Sequence, residues 1–355
     1  MRTEPQHVVH RILTGLVTIP CALLLTAATH AQCPADLTDD GMVGGMDLSV
    51  LMAAWATDGS QQPGSDINGD GVVGGADLAA MLGAWGPCVT TPAWATLIEA
   101  WPDPSVVTNA NLRAAITATG LAWRVKDTAT QIEMMLIPPG TFDMGCIQGS
   151  NQYGCYGWEL PVHQVTLTSA FYLGRTEVTQ AQWLATMGYE LGFYPGPNNP
   201  VEQVSWDLIQ GFLSLTGMRL PTEAEWEFAC RAGTTTPYYN GSTDDSTLTT
   251  LAWYFFNTCE GGTGCGTRPV ATKLPNGFGL YDTLGNVWEW VSDCHGNYSA
   301  GAQTDPQGPL SGTYRVLRGG SWVENSYGAC RASDRCPGAP GYQPSYFGFR
   351  VARTP

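Results

Sequence analysis

The sequence predicts a large α+β domain with much irregular loop, preceded by a small all-α module. Composition gives the first observation: 43 Gly and 24 Pro in 355 residues indicate many turns, and 13 Trp supply material for a packed core. The second is an internal repeat, in which residues 66–85 repeat the pattern of residues 36–55. The third is a series of short strand signals and capped helices in the rest of the chain.

Residues 1–32 have the pattern of a secretory signal peptide. Arg2 and Arg11 flank the start of an apolar stretch, and small residues follow it as far as Ala31. The stretch is short for a membrane span and Pro20 interrupts it, although an uncleaved anchor is the alternative. Cleavage near Ala31 predicts a protein that is secreted, either periplasmic or extracellular.

The charge of the chain excludes two classes of partner. Lys and Arg number 16 against 31 Asp and Glu, a formal net charge of -15, and only Lys126 and Lys273 are lysines. Nucleic-acid-binding proteins need clustered basic side chains to neutralise phosphates, and anionic membrane surfaces attract the same clusters. We therefore expect no nucleic-acid partner and, after signal cleavage, no membrane partner.

The cysteines predict a disulfide-bonded protein. Signal cleavage leaves ten of the 11 cysteines, and an even number in an exported chain favours bridges over catalytic thiols or zinc. Bracketing of the repeat and closure of short Gly-containing loops predict three bridges: Cys33–Cys88, Cys146–Cys155 and Cys259–Cys265. From the residues alone, the other four allow three pairings: Cys230, Cys294, Cys330 and Cys336.

Each copy of the repeat has the ligand spacing of an EF-hand-like calcium loop. Oxygen ligands stand at positions 1, 3, 5, 7 and 12, with Gly at position 6 for the sharp turn. The ligands of the first loop are Asp36, Thr38, Asp40, the Met42 carbonyl and Asp47. Those of the second loop are Asp66, Asn68, Asp70, the Val72 carbonyl and Asp77. Because Thr38 offers one neutral oxygen, we expect weaker binding in the first loop.

A short helix is predicted after each loop. The apolar residues fall on one face at helical spacing in both copies: Leu48, Leu51, Met52 and Trp55, then Leu78, Met81, Leu82 and Trp85. Together these features make residues 33–88 resemble a dockerin, an EF-hand-like calcium module that docks onto cohesin domains. The resemblance implies calcium as cofactor and a cohesin-like protein as partner. The alternative is a calcium-stabilised module without a partner, since Gly45-Met46 and Gly75-Ala76 stand where dockerins carry recognition residues.

Residues 89–130 are predicted to be a linker with a lead-in helix and strand. The helix starts near Thr108 and ends at Gly120, and strands are expected over 122–125 and 132–137. Three later helices are predicted from their N-cap residues: Thr179, Ser205 and Thr222. Gln182 and Glu225 stand three residues after two of these caps and complete capping boxes.

Five motif-like segments follow one another in the rest of the chain: MMLIPPGTFDMG (134–145), RLPTEAEWEFACRAGT (219–234), LPNGFGLYDTLGNVWEWVSD (274–293), RVLRGGSW (315–322) and FGFRVA (347–352). Their order and spacing resemble the formylglycine-generating enzyme (sulfatase-modifying factor, FGE-sulfatase) family, and assign residues 131–355 to such a domain. The resemblance implies a compact α+β fold related to C-type lectins, with many ordered loops.

Active members of that family oxidise a cysteine of a client sulfatase to formylglycine, with oxygen and a copper ion held by two cysteines. In this sequence Glu324 occupies the first copper-cysteine position, and Cys330, the one candidate for the second, is interpreted as structural. A cuprous ion needs soft thiolate ligands, which a carboxylate does not replace. We therefore expect neither copper nor formylglycine-generating activity. The inherited cleft would comprise Ser321, Trp322, Glu324 and Arg335.

The resemblance also implies a calcium site and a disulfide pairing. The calcium ligands fall on the Asp282 side chain, the Gly285 carbonyl, the Val287 carbonyl and the Glu289 side chain. A second family calcium site is expected to be lost, because Trp253 and Tyr254 stand where its pattern begins with Asn. Family members link the Cys230 position to the strand that holds Cys330, which leaves Cys294 to pair with Cys336.

Two classes of function follow. The first is a secreted, non-catalytic binding protein whose large domain presents the former active-site cleft to a peptide or glycan ligand. The alternative is an oxidoreductase of the sulfatase-modifying-factor type, attached through the dockerin-like module to an extracellular complex. Its rebuilt metal centre would use Glu324, His295 and Arg335, with His163 as the other histidine that remains after signal cleavage.

Overall fold

The computed structural model describes residues 33–38, 40–147, 154–259 and 264–355. The predicted signal peptide lies outside these residues. In the N-terminal module, β1 (Met42–Val43) pairs antiparallel with β2 (Gly86–Pro87), on either side of α1 (Gly45–Ala53) and α2 (Gly75–Gly83) in the chain. The predicted Cys33–Cys88 bridge is present and ties the two ends of the module together.

The two helices of the module bury only part of the predicted apolar face. Leu51 of α1 and Met81 of α2 are fully buried, and Leu48 and Leu78 pack against the same small core. The outer half of each face is exposed instead: Met52, Trp55, Leu82 and Trp85. Two nine-residue helices that contact one another cover only their facing sides, so the apolar face of each helix is buried on its inner half and exposed on its outer half.

The strands of the large domain are short. They are β3 (Ala95–Glu99), β4 (Arg124–Asp127), β5 (Glu133–Ile137), β6 (Gly140–Met144), β7 (His163–Leu167), β8 (Phe171–Gly174), β9 (Trp288–Cys294), β10 (Gln303–Thr304), β11 (Arg315–Arg318), β12 (Arg335–Gly338), β13 (Phe347–Gly348) and β14 (Ala352–Arg353). They form sheets in the orders β14-β8-β5-β4-β3, β10-β7-β6 and β12-β11-β9-β13. Long loops join them, as the Gly and Pro content predicts.

The region 89–107, interpreted from sequence as linker, contains β3. This strand pairs antiparallel with β4, where Thr96 lies opposite Lys126, and so forms the edge of the five-stranded sheet. Its partner lies about thirty residues further along the chain, so local sequence offers little signal for the pairing. The linker interpretation was therefore wrong for residues 95–99.

The helices of the large domain begin at side-chain caps. They are α3 (Ala110–Thr117), α4 (Gln180–Met187), α5 (Trp206–Thr216), α6 (Glu223–Arg231), α7 (Leu248–Leu251) and α8 (Phe255–Thr258). The predicted N-caps Thr179, Ser205 and Thr222 are confirmed, and each accepts a hydrogen bond from a backbone N–H in the first turn. The helix predicted near Thr108 is also present, capped by Asn109.

Two further predicted bridges are present, Cys146–Cys155 and Cys259–Cys265. The pairs Cys230–Cys330 and Cys294–Cys336 are not formed, and all four of these cysteines are free thiols. Cys230 Sγ faces the carbonyl oxygen of Thr283 at 3.8 Å rather than another sulfur. Cys330 packs against the backbone at Gly320, where an added Cβ would lie 2.8 Å from its Sγ.

No helix of the described ranges is long and apolar enough to cross a membrane.

Candidate functional site

Strand β9 separates two polar regions of the large domain. Neighbouring side chains of a strand point to opposite faces of the sheet. Glu289 accepts a hydrogen bond from Trp226 Nε1 of α6 at 2.7 Å, which places its side chain on the α6 face. Trp288 Nε1 donates instead to Glu324 Oε1 at 2.8 Å. The predicted cleft residues that contact Trp288 therefore lie on the face away from α6.

Three of the four predicted cleft residues come together around Glu324. Its Oε1 lies 3.4 Å from Ser321 Oγ and also accepts the indole N–H of Trp288. Trp322 is almost fully buried, and its Nε1 donates to the Ser345 carbonyl at 3.1 Å. The Trp288 indole N–H and the Ser321 hydroxyl are thus both bound by one oxygen of the Glu324 carboxylate.

Exposed aromatic rings flank this cleft. We call them the aromatic rim: Phe193, Phe255, Phe256 and Tyr342. Phe255 donates its backbone N–H to the Glu324 carbonyl at 3.1 Å, and Tyr194, next to Phe193, packs edge-on against Trp322 with ring centroids 5.1 Å apart. Sequence reasoning missed these rings, because they come from separate loops and belong to no motif. The density of aromatic residues in those loops was the available signal.

A buried carboxylate fastens one loop of the rim. Glu202 is fully buried, and its Oε1 accepts the backbone N–H groups of Phe193 and Tyr194. Burial raises the pKa of this carboxyl, and the two N–H groups oppose that effect. The loop that presents Phe193 is therefore held in part through its backbone by the interior of the domain.

The thiol chemistry of the cleft is weak. Burial raises the pKa of Cys330 well above its usual range, and the nearby charges of Glu324 and Asp334 act in the same direction. Burial likewise raises the pKa of Cys336 to about 11. Both sulfurs are therefore protonated thiols at neutral pH, whereas copper ligation requires thiolates.

The fourth predicted cleft residue, Arg335, does not join the other three. Its Nε and one terminal nitrogen lie 2.7 and 2.6 Å from the two carboxylate oxygens of Glu223, at the start of α6. Glu227 of the same helix is fully buried and binds Arg318 and Arg231. These ion pairs lie on the α6 face of the sheet. The motif predicted the residues but not the face of the strand to which they point.

The turn predicted to bind calcium is buried, and its ligands are only partly available. Asp282 Oδ2 accepts the Ala271 N–H at 2.7 Å, while Oδ1 is buried without a hydrogen-bond partner. Burial raises the pKa of Asp282 to about 6. Both oxygens of Glu289 are bound at 2.6 Å by the guanidinium of Arg350. An unpartnered oxygen at Asp282 fits a hard cation, but Glu289 already has a cationic partner.

In the N-terminal module the two predicted loops each gather three carboxylates. The groups are Asp36, Asp40 and Asp47, then Asp66, Asp70 and Asp77, and one oxygen of each member lies within 4.8 Å of the others. Gly41 and Gly71, at position 6, adopt φ values of +81° and +86°, which favour glycine. These loops therefore have the shape and the charge of oxygen-ligand sites.

The residue at position 3 differs between the loops. Thr38 donates its hydroxyl and its N–H to Asp47 Oδ1, at 2.9 and 3.0 Å. In the second loop, Asn68 Oδ1 accepts the Asp70 N–H at 2.9 Å, so the side chain at position 3 acts as an acceptor there and the Thr38 hydroxyl acts as a donor in the first loop. Weaker calcium binding in the first loop stays a prediction.

The residues proposed for a rebuilt metal centre are not brought together. Within the described part of the chain, the two aspartate groups are the only sets of three or more His, Cys, Asp or Glu side chains close enough to share an ion. His163 and Arg335 line a cavity whose lining does not include Glu324. Burial lowers the pKa of His295, and the charge of Arg335 acts in the same direction.

Comparison with known proteins agrees with this architecture. Residues 122–355 match the sulfatase-modifying factor enzyme 1-like domain, FGE-sulfatase. A formylglycine-generating enzyme of Thermomonospora curvata is 37% identical over 194 residues, covering 50% of this chain and 63% of that protein. Among solved structures, Treponema denticola variable protein 1 matches with a TM-score of 0.55 at 30% identity, covering 63% of this chain and 95% of that one. PvdO from Pseudomonas aeruginosa matches with a TM-score of 0.52 at 27% identity, covering 65% and 98%.

The sheets, the capped helices and the Trp–Ser cleft together define a mixed helix-and-sheet domain of the sulfatase-modifying-factor type. The chain belongs to the FGE-sulfatase family. It spans less than two thirds of the length of the curated enzyme that it matches.

Proposed function

We propose that this chain is a secreted, non-catalytic binding protein that presents the Glu324 cleft and its aromatic rim to a peptide or glycan. The observation that carries the proposal is the hydrogen bonding of Glu324. One oxygen of its carboxylate accepts both the Trp288 indole N–H and the Ser321 hydroxyl, so the donors that line the cleft are already satisfied. Exposed aromatic rings around a polar centre favour ligand recognition.

Secretion is supported by the disulfides. Three bridges are present among the described residues, and such bridges are typical of proteins outside the reducing cytosol. The apolar leader of the sequence points in the same direction.

The residues present do not fit a copper centre. Linear cuprous coordination takes two thiolates, whereas this chain has a carboxylate at position 324 and a buried, protonated thiol at Cys330. We therefore infer no step through copper. What the side chains of the cleft would do is bind and orient a ligand: the aromatic rim offers apolar surface, and Glu324 offers a negative charge.

The test is a direct assay for oxidation. The full chain, loaded with cuprous ion in air, is incubated with a cysteine peptide derived from a sulfatase, and aldehyde is measured by mass spectrometry. The formylglycine-generating enzyme of Thermomonospora curvata serves as the matched positive control. We expect aldehyde only in the control. Aldehyde from this chain, or stoichiometric iron or copper in the purified protein, would support the oxidoreductase alternative instead.

We also propose that the N-terminal module binds two calcium ions, one in each aspartate loop. Three carboxylates in a segment without a single Lys or Arg support this proposal, because such a charge density repels itself without a cation. A bound ion would neutralise the carboxylates and hold the ends of the loop together. Titration calorimetry with Ca²⁺ should show one binding event for each loop, and Asp77→Asn should abolish the event of the second loop.

A cohesin-like partner is the further role proposed for this module. The exposed outer residues of α1 and α2 support it, since Met52 and Leu82 are at least half exposed at equivalent positions of the two copies. Binding to a recombinant cohesin domain, measured with calcium and with chelator, tests the proposal. Calcium binding without cohesin binding would leave the module as a self-contained stabilising unit.

A third calcium site in the large domain, at Asp282, Gly285, Val287 and Glu289, is proposed with a smaller ligand set. The unpartnered Asp282 Oδ1 supports it, whereas Glu289 would have to remain paired with Arg350. Calcium stoichiometry of a variant that lacks both loop sites measures this ion alone.

A further inference from the structure

A second polar cavity lies on the α6 face, away from the proposed ligand cleft. Its volume is about 310 Å³, and it is enclosed by β7, the start of α6, β12 and the loop that follows β9. Neither Ser321, Trp322 nor Glu324 lines it. A cavity of this size accommodates one small ligand.

The charged pair in the wall of the cavity is satisfied within the protein. Arg335 binds both carboxylate oxygens of Glu223, and its remaining terminal nitrogen donates to the carbonyls of Gly296 at 2.7 Å and Trp158 at 3.2 Å. Tyr298 donates its hydroxyl to the same Glu223 at 3.1 Å. Neither an anion nor a cation therefore finds a free opposite charge in this pair.

His163 offers a hydrogen-bond acceptor to the cavity. His163 is only 5% exposed, and its Nδ1 lies 3.0 Å from the Pro161 carbonyl oxygen. Because a carbonyl can only accept, Nδ1 carries the proton, and in the neutral ring Nε2 is the acceptor. Nε2 has no hydrogen-bond partner among the residues that the structure describes.

Asp293 offers a second acceptor. Its exposure is 4%, and Oδ2 accepts the Glu223 N–H at 2.8 Å and the Ser292 hydroxyl at 2.9 Å. Oδ1 has no hydrogen-bond partner in the described part of the chain. Burial, together with the charge of Glu223, raises the pKa of Asp293 to about 7, so the carboxyl carries only part of a negative charge at neutral pH. In the ionised form Oδ1 accepts a hydrogen bond; in the protonated form Oδ1 carries the proton, because Oδ2 already accepts two hydrogen bonds, and donates instead.

We infer that this cavity binds a neutral, hydroxyl-rich small molecule of the size of a monosaccharide. Two side-chain atoms of the cavity lining bind no protein group among the described residues, the acceptor His163 Nε2 and Asp293 Oδ1, and the hydroxyl groups of a ligand can pair with both. The side-chain amides of Asn297 and Gln307, which also line this cavity, offer both donors and acceptors. The rings of Pro306 and Pro309 form an apolar wall against which the C–H groups of a sugar would pack.

The experiment uses the full chain in calcium and ligand-observed NMR with individual probes. The neutral probes are D-glucose, D-galactose, D-mannose and N-acetyl-D-glucosamine; the charged probes are ethanolamine and inorganic phosphate. We expect at least one neutral sugar to bind with a Kd below about 20 mM, and neither charged probe to compete with it.

Two variants and one control assign the binding to this cavity. Asp293→Asn keeps an oxygen for the α6 N–H but turns one acceptor into a donor, and Asn297→Ala removes an exposed amide. Each should weaken sugar binding about 5- to 10-fold. Asp58→Asn makes the same chemical change at an exposed loop of the N-terminal module and should change nothing.

The inference is overturned if no neutral probe binds at about 20 mM, if a charged probe binds instead, or if sugar binding is unchanged in both cavity variants. If Asp293→Asn does not fold, Asn297→Ala decides alone, because its side chain is exposed and its loss does not disturb the core. The cleft proposal is independent of each of these outcomes.

Discussion

The two aspartate loops and the buried turn at Asp282 both bring carboxylates close together, but only the turn lies beside a fixed cation. Each aspartate loop gathers three carboxylates in a module, residues 33–88, that contains no Lys or Arg. The turn of the large domain gathers Glu177, Asp282 and Glu289 around the guanidinium of Arg350. The loops have no fixed cation beside them, whereas the core of the large domain contains one. The comparison teaches that a fixed cation beside an acidic cluster lowers the demand of that cluster for a metal.

The strongest test of this comparison removes the internal cation. Arg350→Met should destabilise the protein by about 3–5 kcal/mol, because it leaves Glu289 as a buried, unpaired charge. Urea unfolding measures the loss. Arg219→Met is the matched control: its pair with Glu225 is partly exposed, so its removal should cost at most about 1 kcal/mol. Equal losses in the two variants would contradict the assignment of Arg350 as the counter-charge of the turn.

Removal of calcium tests the other side of the comparison. Chelation of an ion present at 100 times its Kd should lower the stability of the N-terminal module by about 2.7 kcal/mol. Differential scanning calorimetry of the full chain with calcium and with EGTA measures the shift. A variant with both Asp47→Asn and Asp77→Asn should lose this shift of the N-terminal module. If the double variant shows the same shift as the unchanged chain, calcium does not act through the loops.

The two regions should also respond to pH with opposite sign. Burial raises the pKa of Asp334 to about 7, so the folded state holds a proton that the unfolded state loses near pH 4. Its contribution to stability therefore falls as the pH rises, by about 2 kcal/mol between about pH 5 and 6.5, and Asp334→Asn should reduce the measured slope by that amount. The slope that remains includes the contributions of Asp293 and Asp282, whose pKa values are also raised.

Asp77 is the opposite case. Burial acts to raise its pKa, but the N–H groups of Gly74, Asn68 and Ile67 bring it below the usual value. Its stabilising contribution is present above about pH 4 and is lost as the pH falls further. Stability curves measured in EGTA should separate the two aspartates, and slopes of the same sign would contradict the assignment.

The smallest expected effect concerns the difference between the two loops. Thr38→Asn gives the first loop the ligand set of the second and should raise its calcium affinity by up to about tenfold, or about 1.4 kcal/mol. Asn68→Thr should weaken the second loop by a similar factor. Calorimetric titration measures both changes. Unchanged affinities would mean that position 3 does not contribute a ligand oxygen in either loop.

Local signals predicted the parts of this protein that depend on nearby residues. The capping boxes at Thr179 and Thr222 act within one turn of helix, so their sequence signature was sufficient. The two aspartate loops are equally local, and their carboxylates converge as the spacing predicts. Strand β3 was missed because its pairing partner, β4, lies outside any local window.

The site was predictable in its residues but not in its arrangement. The resemblance placed Glu324 at a copper-cysteine position, yet nothing in the sequence indicated that Glu324 would accept a hydrogen bond from Trp288. Arg335 was predicted to line the same cleft, but its guanidinium binds Glu223 instead, because a motif gives order along the chain rather than side-chain direction. The cysteine pairs failed for the same reason: Cys230 and Cys330 each pack against backbone instead of meeting.

The fastening of Phe193 and Tyr194 by Glu202 has a practical consequence for engineering. The carboxylate holds main-chain N–H groups, which every amino acid except proline possesses, and makes no demand on the side chains that the loop displays. The exposed position 193 can therefore be randomised in a combinatorial library while the loop keeps its conformation. This chain thus offers a disulfide-braced scaffold on which new specificities could be selected at little cost to folding.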